Sequence, residues 1–347
     1  REVFGWLEAE GQDPVARVLL ALNTVAIVVI AHRMRSETVA GIALFLGLHT
    51  GMLSDITLFT LMSTALLALG ALFFLVKNRW VIVPLSSLVA VYSTHVVWAM
   101  RTEAIAPGEP PGERLALSLA FLTLYYVLFS VALLAFPREL SRRAGLAFAL
   151  LNWTGLLSLG AVEVERWDRP HLFTFFVAVA LAQGVGGAVA RLRHAPDALV
   201  QAYFATAVLT LALGVPTEYA DAALVRTWTV VGLAAGLAGR TLGASALQAV
   251  AVGLLWMALG ATWLPASGRA LLDAGLFVSF VLVERTAVVS AARLPAPVEG
   301  RGREALQSLC ALGAALAAVW LLGEVLSAQL TTLAWGVAAL GLYLAAG

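Results

Sequence analysis

The sequence predicts an all-α protein, a polytopic transmembrane helical bundle of about 13 spans, and three observations carry that prediction. Of the 347 residues, 61% are hydrophobic and 12% are charged, whereas a soluble domain carries about 25% charged residues. The charges fall in short clusters between apolar runs such as "VLLALNTVAIVVIA" and "LFTLMSTALLALGALFFLV". Runs of roughly 17 to 25 apolar residues match a hydrocarbon core about 30 Å thick at about 1.5 Å per helical residue. A helix also satisfies its own backbone groups, which lipid cannot do.

Taken in order, each span is bounded by polar residues. Span 15–31 ends at Arg33 and Arg35, span 37–53 at Asp55, and span 56–76 at Lys77 and Arg79. Span 80–100 leads into the Pro/Gly-rich loop "RTEAIAPGEPPGER", and span 115–136 ends at Arg138, Arg142 and Arg143. Span 144–162 is followed by "VEVERWDRPH", span 172–190 by Arg191 and Arg193, and span 198–215 by "PTEYADAALVR". Span 224–240 closes at Arg240, and span 244–264 precedes Asp273. Span 270–290 contains Glu284 and Arg285, which belong at a helix end where they can snorkel to the interface. The loop "AARLPAPVEGRGRE" leads to span 304–323, and Glu324 separates it from span 329–347. Both long loops are too small to be domains, so 1–347 reads as one transmembrane domain with 1–14 as an N-terminal segment.

Charge alternates along this series. One set of connections holds fourteen of the 22 basic residues and six acids; the other, with the N-terminal segment, holds eight basic and fifteen acidic residues. The positive-inside rule then places the N-terminus outside and the C-terminus in the cytoplasm. Net charge is +1, so no basic surface points to nucleic acid. Cys310 is the only cysteine and lies in an apolar run, which rules out an internal disulfide. The start at Arg1, without a signal-peptide pattern, and the abrupt end at "LYLAAG" lead to the expectation that native chain extends beyond one or both ends.

Polar residues deep in the spans are few and neutral: Asn23, Asn152, Gln183, Gln201 and Gln248, each able to hydrogen-bond across helices. No charged residue is expected at mid-membrane, which argues against a proton-coupled pump. The predicted outer rim is richer. It gathers His49, Asp55, His95, Trp98, Glu163, Glu165, Asp168, His171, Glu218, Tyr219 and Asp221, with Trp167 in the same loop. Such a rim could bind a cation, a sugar or a lipid head group. Equally, outer loops are acidic where inner loops are basic, and Trp and Tyr favour interfaces in any case. His49 has no partner at metal-ligand spacing, and Gly47 and Gly51 flank it in a G-x-x-x-G pattern, so it reads as a histidine bonded to a neighbouring helix. No catalytic residue, metal site or cofactor is assigned.

Glycines recur in "GLAAGLAGRTLG" (Gly232, Gly236, Gly239, Gly243) and in "GVGG" at 184–187, as packing surfaces for this chain or a partner. Trp228 and Trp335 each open a helix with small residues at offsets of four and eleven, Gly232 and Gly239 in one, Ala339 and Ala346 in the other. This suggests parallel repeats of helix units near 198–240 and 304–347.

The stretches "VLLALNTVAIVV", "LLALGALFFLVKNRWVIVPLSSLVA", "LALGVPTEYADAALVRTWTVVGLAAGLAGRTLG" and "LTTLAWGVAALGLYLAAG" resemble a bacterial family of predicted multi-pass membrane proteins, domain of unknown function 2339. Shared features are many short helices, an interfacial Trp opening a Gly-rich helix and an Arg-flanked Trp, here Arg79–Trp80. The family often carries Glu before the glycine that follows the Trp; this chain has Val231 before Gly232 and Ala338 in the later copy. The resemblance implies a bacterial inner-membrane location and no established activity. With no catalytic motif and many small-residue faces, the sequence favours a non-enzymatic scaffold or complex subunit, partnered by the lipid bilayer and by other membrane proteins through Gly/Ala-rich helix faces. The alternative is a transporter or transferase handling lipids or lipid-linked glycans at the outer rim.

Overall fold

The computed structural model describes residues 57–105, 111–136, 141–261, 275–276, 278–283 and 307–318, together with scattered positions between 26 and 41. Their regular structure is helical throughout: α1 (Thr57–Asn78), α2 (Ile82–Ile105), α3 (Pro111–Ala135), α4 (Arg142–Trp167), a 3-10 turn (Arg169–His171), α5 (Leu172–Leu192), α6 (Asp197–Glu218), α7 (Asp221–Leu242) and α8 (Ser245–Ala261). The eight spans expected between 56 and 264 each coincide with one of these helices. Seven of them, α1 to α7, are long and apolar enough to cross a membrane. α8, described over 17 residues, is apolar but is not among those seven. The expected spans 15–31, 37–53 and 329–347, and much of 270–290 and 304–323, lie outside the described residues, as do Trp335 and Glu284. Seven span-length helices among the described residues therefore do not carry the count of 13 or the repeat.

Helix ends differ from expectation where polar residues were read as loop. The segment "VEVERW" continues α4, and "PGER" begins α3, with Pro111 opening the helix where its missing N–H is not needed. At 26 residues α4 is about 39 Å long, so its last turns extend past the apolar core. Gly243 ends α7 with φ +65°, the left-handed conformation that glycine adopts without strain, and Ala244 N–H closes the turn on Gly239 O at 2.8 Å.

The helices are apolar on their outer faces. On α1, Met62, Leu66, Leu69, Phe73 and Val76 recur every three or four residues and are all exposed. A helix that is apolar all round suits lipid on one side and protein on the other. Buried polar residues face inward: Thr60, Thr64, Ser87, Thr94, His95, Ser118, Ser130 and Asn152.

The described helices divide into two compact units. One comprises α1 to α4, the 3-10 turn and residues 188–200; the other comprises residues 172–187 and those from 201 onward. In the first unit α2 packs against α1, α3 and α4, and α3 packs against α1, α2 and α4. A buried network ties them together. Tyr92 OH donates to Asn152 Oδ1 at 2.9 Å, while Asn152 Nδ2 donates to Tyr126 O and Ser130 Oγ, both at 3.0 Å. Tyr125 OH reaches Leu61 O of α1 at 3.2 Å. The Tyr92 ring lies over Gly155, where a Cβ would come within 2.5 Å of it.

In the second unit the glycine-rich faces pack within the chain. Gly232 and Gly239 of α7 lie against Leu255 and Gln248 of α8, and Gly236 lies against Val283. Gly186 and Gly187 of α5 sit under Tyr203 and Phe204 of α6. Trp228, expected at the interface, is instead buried seven residues into α7, its indole N–H donating to Ala212 O at 2.9 Å. Gln183 Oε1 accepts from Thr206 at 3.2 Å, and Gln201 Oε1 accepts from Ser245 at 3.3 Å.

Because Tyr92 is pinned by Asn152, it cannot swing away from a new methyl group. Gly155→Ala is expected to destabilise the protein by about 1–3 kcal/mol through overpacking. Gly184→Ala, with nothing within 4 Å of its added methyl, should change stability by less than about 0.5 kcal/mol. Unfolding midpoints of the two variants in one detergent check the contrast.

Candidate functional site

Helical spacing brings three short polar rows together at one end of the first unit. On α2, His95, Trp98 and Ala99 lie at offsets of three and four. On α3, Arg114, Ser118 and Tyr125 lie at offsets of four and eleven. On α4, Glu163 and Trp167 are one turn apart. The C-terminal turns of α2 and α4 and the first turns of α3 thus form one rim.

Arg114 is the hub. It is only 7% exposed, and its Nη2 donates to Ala99 O at 2.6 Å. Its guanidinium lies 5.3 Å from the Trp167 ring centroid, and the Arg166 guanidinium lies 5.3 Å from the same ring. Trp167 therefore carries two cations over its π system, an arrangement that favours Arg. Glu163, 8% exposed, feels both the Arg114 charge and the Trp167 indole N–H. One turn deeper, His95 is 1% exposed and shares a 3.0 Å hydrogen bond between Nε2 and Ser118 Oγ. The Trp98 and Tyr125 rings pack beside it, at centroid distances of 5.1 and 6.0 Å.

Among the described residues, the buried atoms of this rim with no hydrogen-bond partner include Arg114 Nε, Glu163 Oε2, Trp167 Nε1 and His95 Nδ1. Helix dipoles do not explain the charges. Arg114 lies near the positive N-terminal end of α3 and Glu163 near the negative C-terminal end of α4, each at the end that disfavours its sign. The arrangement gathers a cation, a carboxylate and an imidazole in one buried polar cluster, with aromatic rings packed beside them.

The expected rim residues separate into groups. His95, Trp98 and Glu163 are brought together. Glu163 corrects the expectation that it lies in the loop after a span ending at 162, because α4 continues through it and buries it. Asp168 and His171 pair with each other, Oδ1 to Nδ1 at 2.7 Å, and are largely solvent-facing. Glu165 is exposed. Glu218 and Asp221 are also exposed, and Tyr219 packs edge-on against Phe173 at 6.0 Å; these three belong to the second unit. His49 and Asp55 lie outside the described residues. Arg114 was missed because the span was expected to begin at 115, and Ser118 and Tyr125 because, inside that span, they were not linked to the rim. The spacing of these three residues on one helical face was the available signal. Among the described residues no group of three or more His, Cys, Asp or Glu could hold a metal ion.

No family model matches the chain, and no curated protein or solved structure matches it either.

Arg114→Ala removes a hydrogen bond from a charged donor, worth about 1.5–3 kcal/mol, and the stacking on Trp167. It is expected to lower stability by roughly 2–4 kcal/mol. Glu165→Gln and Asp168→Asn, on exposed side chains, should stay within about 0.5 kcal/mol of the parent. Chemical unfolding curves in mild detergent separate the two classes.

Proposed function

We propose that this chain is a multi-pass membrane protein that handles lipids or lipid-linked glycans, as a transporter or transferase, by binding their polar head groups at the rim of the first unit. The observation that carries this reading is the burial of Arg114, Glu163 and His95 at a membrane end, each with a polar atom unpartnered. Ionisable residues buried in a membrane protein are expensive and are retained mainly for function. The scaffold or subunit reading rests on an absence of buried charge, the lack of a catalytic constellation and many small-residue packing faces, for this chain or a partner. Arg114 and Glu163 are buried, and most glycines of α5 and α7 pack inside the chain. What supports the scaffold as a second reading is Gly184, which meets nothing within 4 Å beside the exposed Leu181 and Val185, a surface a partner helix could use.

The reading includes the full topology: about 13 spans, parallel helix repeats, and a bacterial inner-membrane location with the N-terminus outside and the C-terminus in the cytoplasm. Support comes from the charge alternation and from the resemblance to domain of unknown function 2339. The rim of Arg114 and Glu163 then faces outward, where head groups of lipid-linked glycans are handled.

Two experiments test this. Purification in gentle detergent followed by mass spectrometry of everything that accompanies the chain is expected to find a lipid or glycolipid at about one per chain. A stoichiometric protein partner with no bound lipid would replace this reading with the scaffold. In a Cys310→Ser background, an impermeant thiol reagent on intact cells should label Glu165→Cys and reach Ser141→Cys only after permeabilisation. The reverse pattern overturns the orientation.

A further inference from the structure

Resting on the head-group reading above, we infer that the rim of Arg114, Glu163 and His95 takes an aminophosphate zwitterion, one phosphate and one primary ammonium on the same short head group, as in an ethanolamine phospholipid. The argument begins with charge. Arg114 and Glu163 bring one positive and one negative charge into a buried rim, while Arg166, the second cation over the Trp167 ring, stays exposed; Nε of Arg114 and Oε2 of Glu163 have no partner among the described residues. A purely anionic ligand satisfies Arg114 and sets a like charge against Glu163; a purely cationic ligand does the reverse. Either leaves a charge buried and uncompensated, which the low dielectric penalises heavily. A zwitterion offers an acceptor oxygen to the guanidinium and N–H donors to the carboxylate, and adds no net charge.

The geometry of each side chain sharpens the match. The Arg114 guanidinium spends Nη2 on Ala99 O and one face on Trp167, so the Nε edge is the side left for a phosphate oxygen. Glu163 accepts and cannot donate while ionised; the Trp167 indole N–H beside it is one available donor, and the remaining acceptor capacity at Oε2 asks for a further N–H group. A primary ammonium has three such donors and a trimethylammonium has none. Glu163 therefore distinguishes ethanolamine from choline, and Arg114 distinguishes both from an uncharged head group. His95 forms the floor one turn deeper. Its Nε2 is shared with Ser118, and its Nδ1 is the remaining unpartnered atom, able to donate to a phosphate oxygen or accept from the amine according to its tautomer. Acyl chains would lie along the apolar outer faces of the same helices, where Val127 and Val131 of α3 are exposed. The same chemistry could also be met by water-soluble phosphoethanolamine.

The test uses the purified protein in nanodiscs of phosphatidylcholine doped with equal small fractions of phosphatidylethanolamine and phosphatidylglycerol of matched acyl chains. Native mass spectrometry after extraction counts the lipids retained. Phosphatidylethanolamine is expected to be retained about tenfold or more over the other two, once corrected for abundance. Glu163→Gln should bring ethanolamine and glycerol lipids within about twofold of each other, and Arg114→Lys should reduce retention of both. Asp168→Asn should behave as the parent. Glu163→Gln carries the test alone if Arg114→Lys fails to fold. Equal retention of the ethanolamine and glycerol lipids by the parent overturns the zwitterion and leaves the head-group reading standing. If free phosphoethanolamine binds while no lipid is retained, the aminophosphate chemistry holds and the lipid source is overturned. Retention of no phospholipid, together with no binding of phosphoethanolamine, overturns the inference; a lipid-linked glycan recovered in native purification would still uphold the head-group reading.

Discussion

Lipid solvates an apolar side chain about as well as a protein interior does, so apolar burial cannot decide which face of a membrane helix turns inward. That constraint governs the whole structure. α1 shows apolar residues on every side, and its exposed face of Met62, Leu66, Leu69, Phe73 and Val76 is as hydrophobic as any core stripe. What orients the helices is the need of polar side chains for partners, and the close approach that glycine permits. In the first unit Asn152 is the centre of this logic. It bonds Tyr92 of α2 and both Tyr126 and Ser130 of α3, so three helices meet on one amide. In the second unit the same role passes to small residues, with Gly232 and Gly239 letting α7 settle against α8.

Seen from Asn152 outward, the interior of the first unit grows more polar toward one end. Mid-helix the groups are neutral and bonded. One helical turn from the rim, His95 keeps one ring nitrogen unpaired. At the rim itself Arg114 and Glu163 are buried with donor and acceptor capacity to spare. Charges at the membrane end cost less than charges at the centre, because solvent and head groups are near. Even so, the dipoles of α3 and α4 oppose both, and a protein built only for stability has no reason to place them there. The rim is therefore where the structure gives up stability to bury charge.

A guanidinium held on Trp167, a carboxylate one helical turn from the same ring, and an imidazole one turn deeper form a polar end to the helical interior. The proposed head-group binding rests on that placement. The exposed acids and the Asp168–His171 pair lie on the solvent side, where screening weakens any single contact. They do not share the burial of Arg114 and Glu163.

Helix identity in this chain was legible from sequence because it depends on length and composition alone. The spans expected between 56 and 264 coincide with α1 to α8, and polar clusters such as Lys77–Arg79 and Arg191–Arg193 mark where they stop. The helix ends were read too short, at 115 for α3 and 162 for α4, because polar residues were equated with loop. Backbone hydrogen bonding carries a helix on through Glu163 and Arg114 regardless of side-chain polarity. The glycine faces were recognised, but whether they met this chain or another was not, since a small residue invites any close neighbour. By itself, then, the sequence determined an apolar helical protein, the approximate position of its spans and the scarcity of charge at their centres, all properties of one helix at a time. Only the tertiary structure decided which faces turn inward, that Trp228 is buried, and that Arg114, Glu163 and His95 share one rim. Those facts depend on the pairing of residues far apart in the chain, and in helices that are apolar on every side no local periodicity records such pairing.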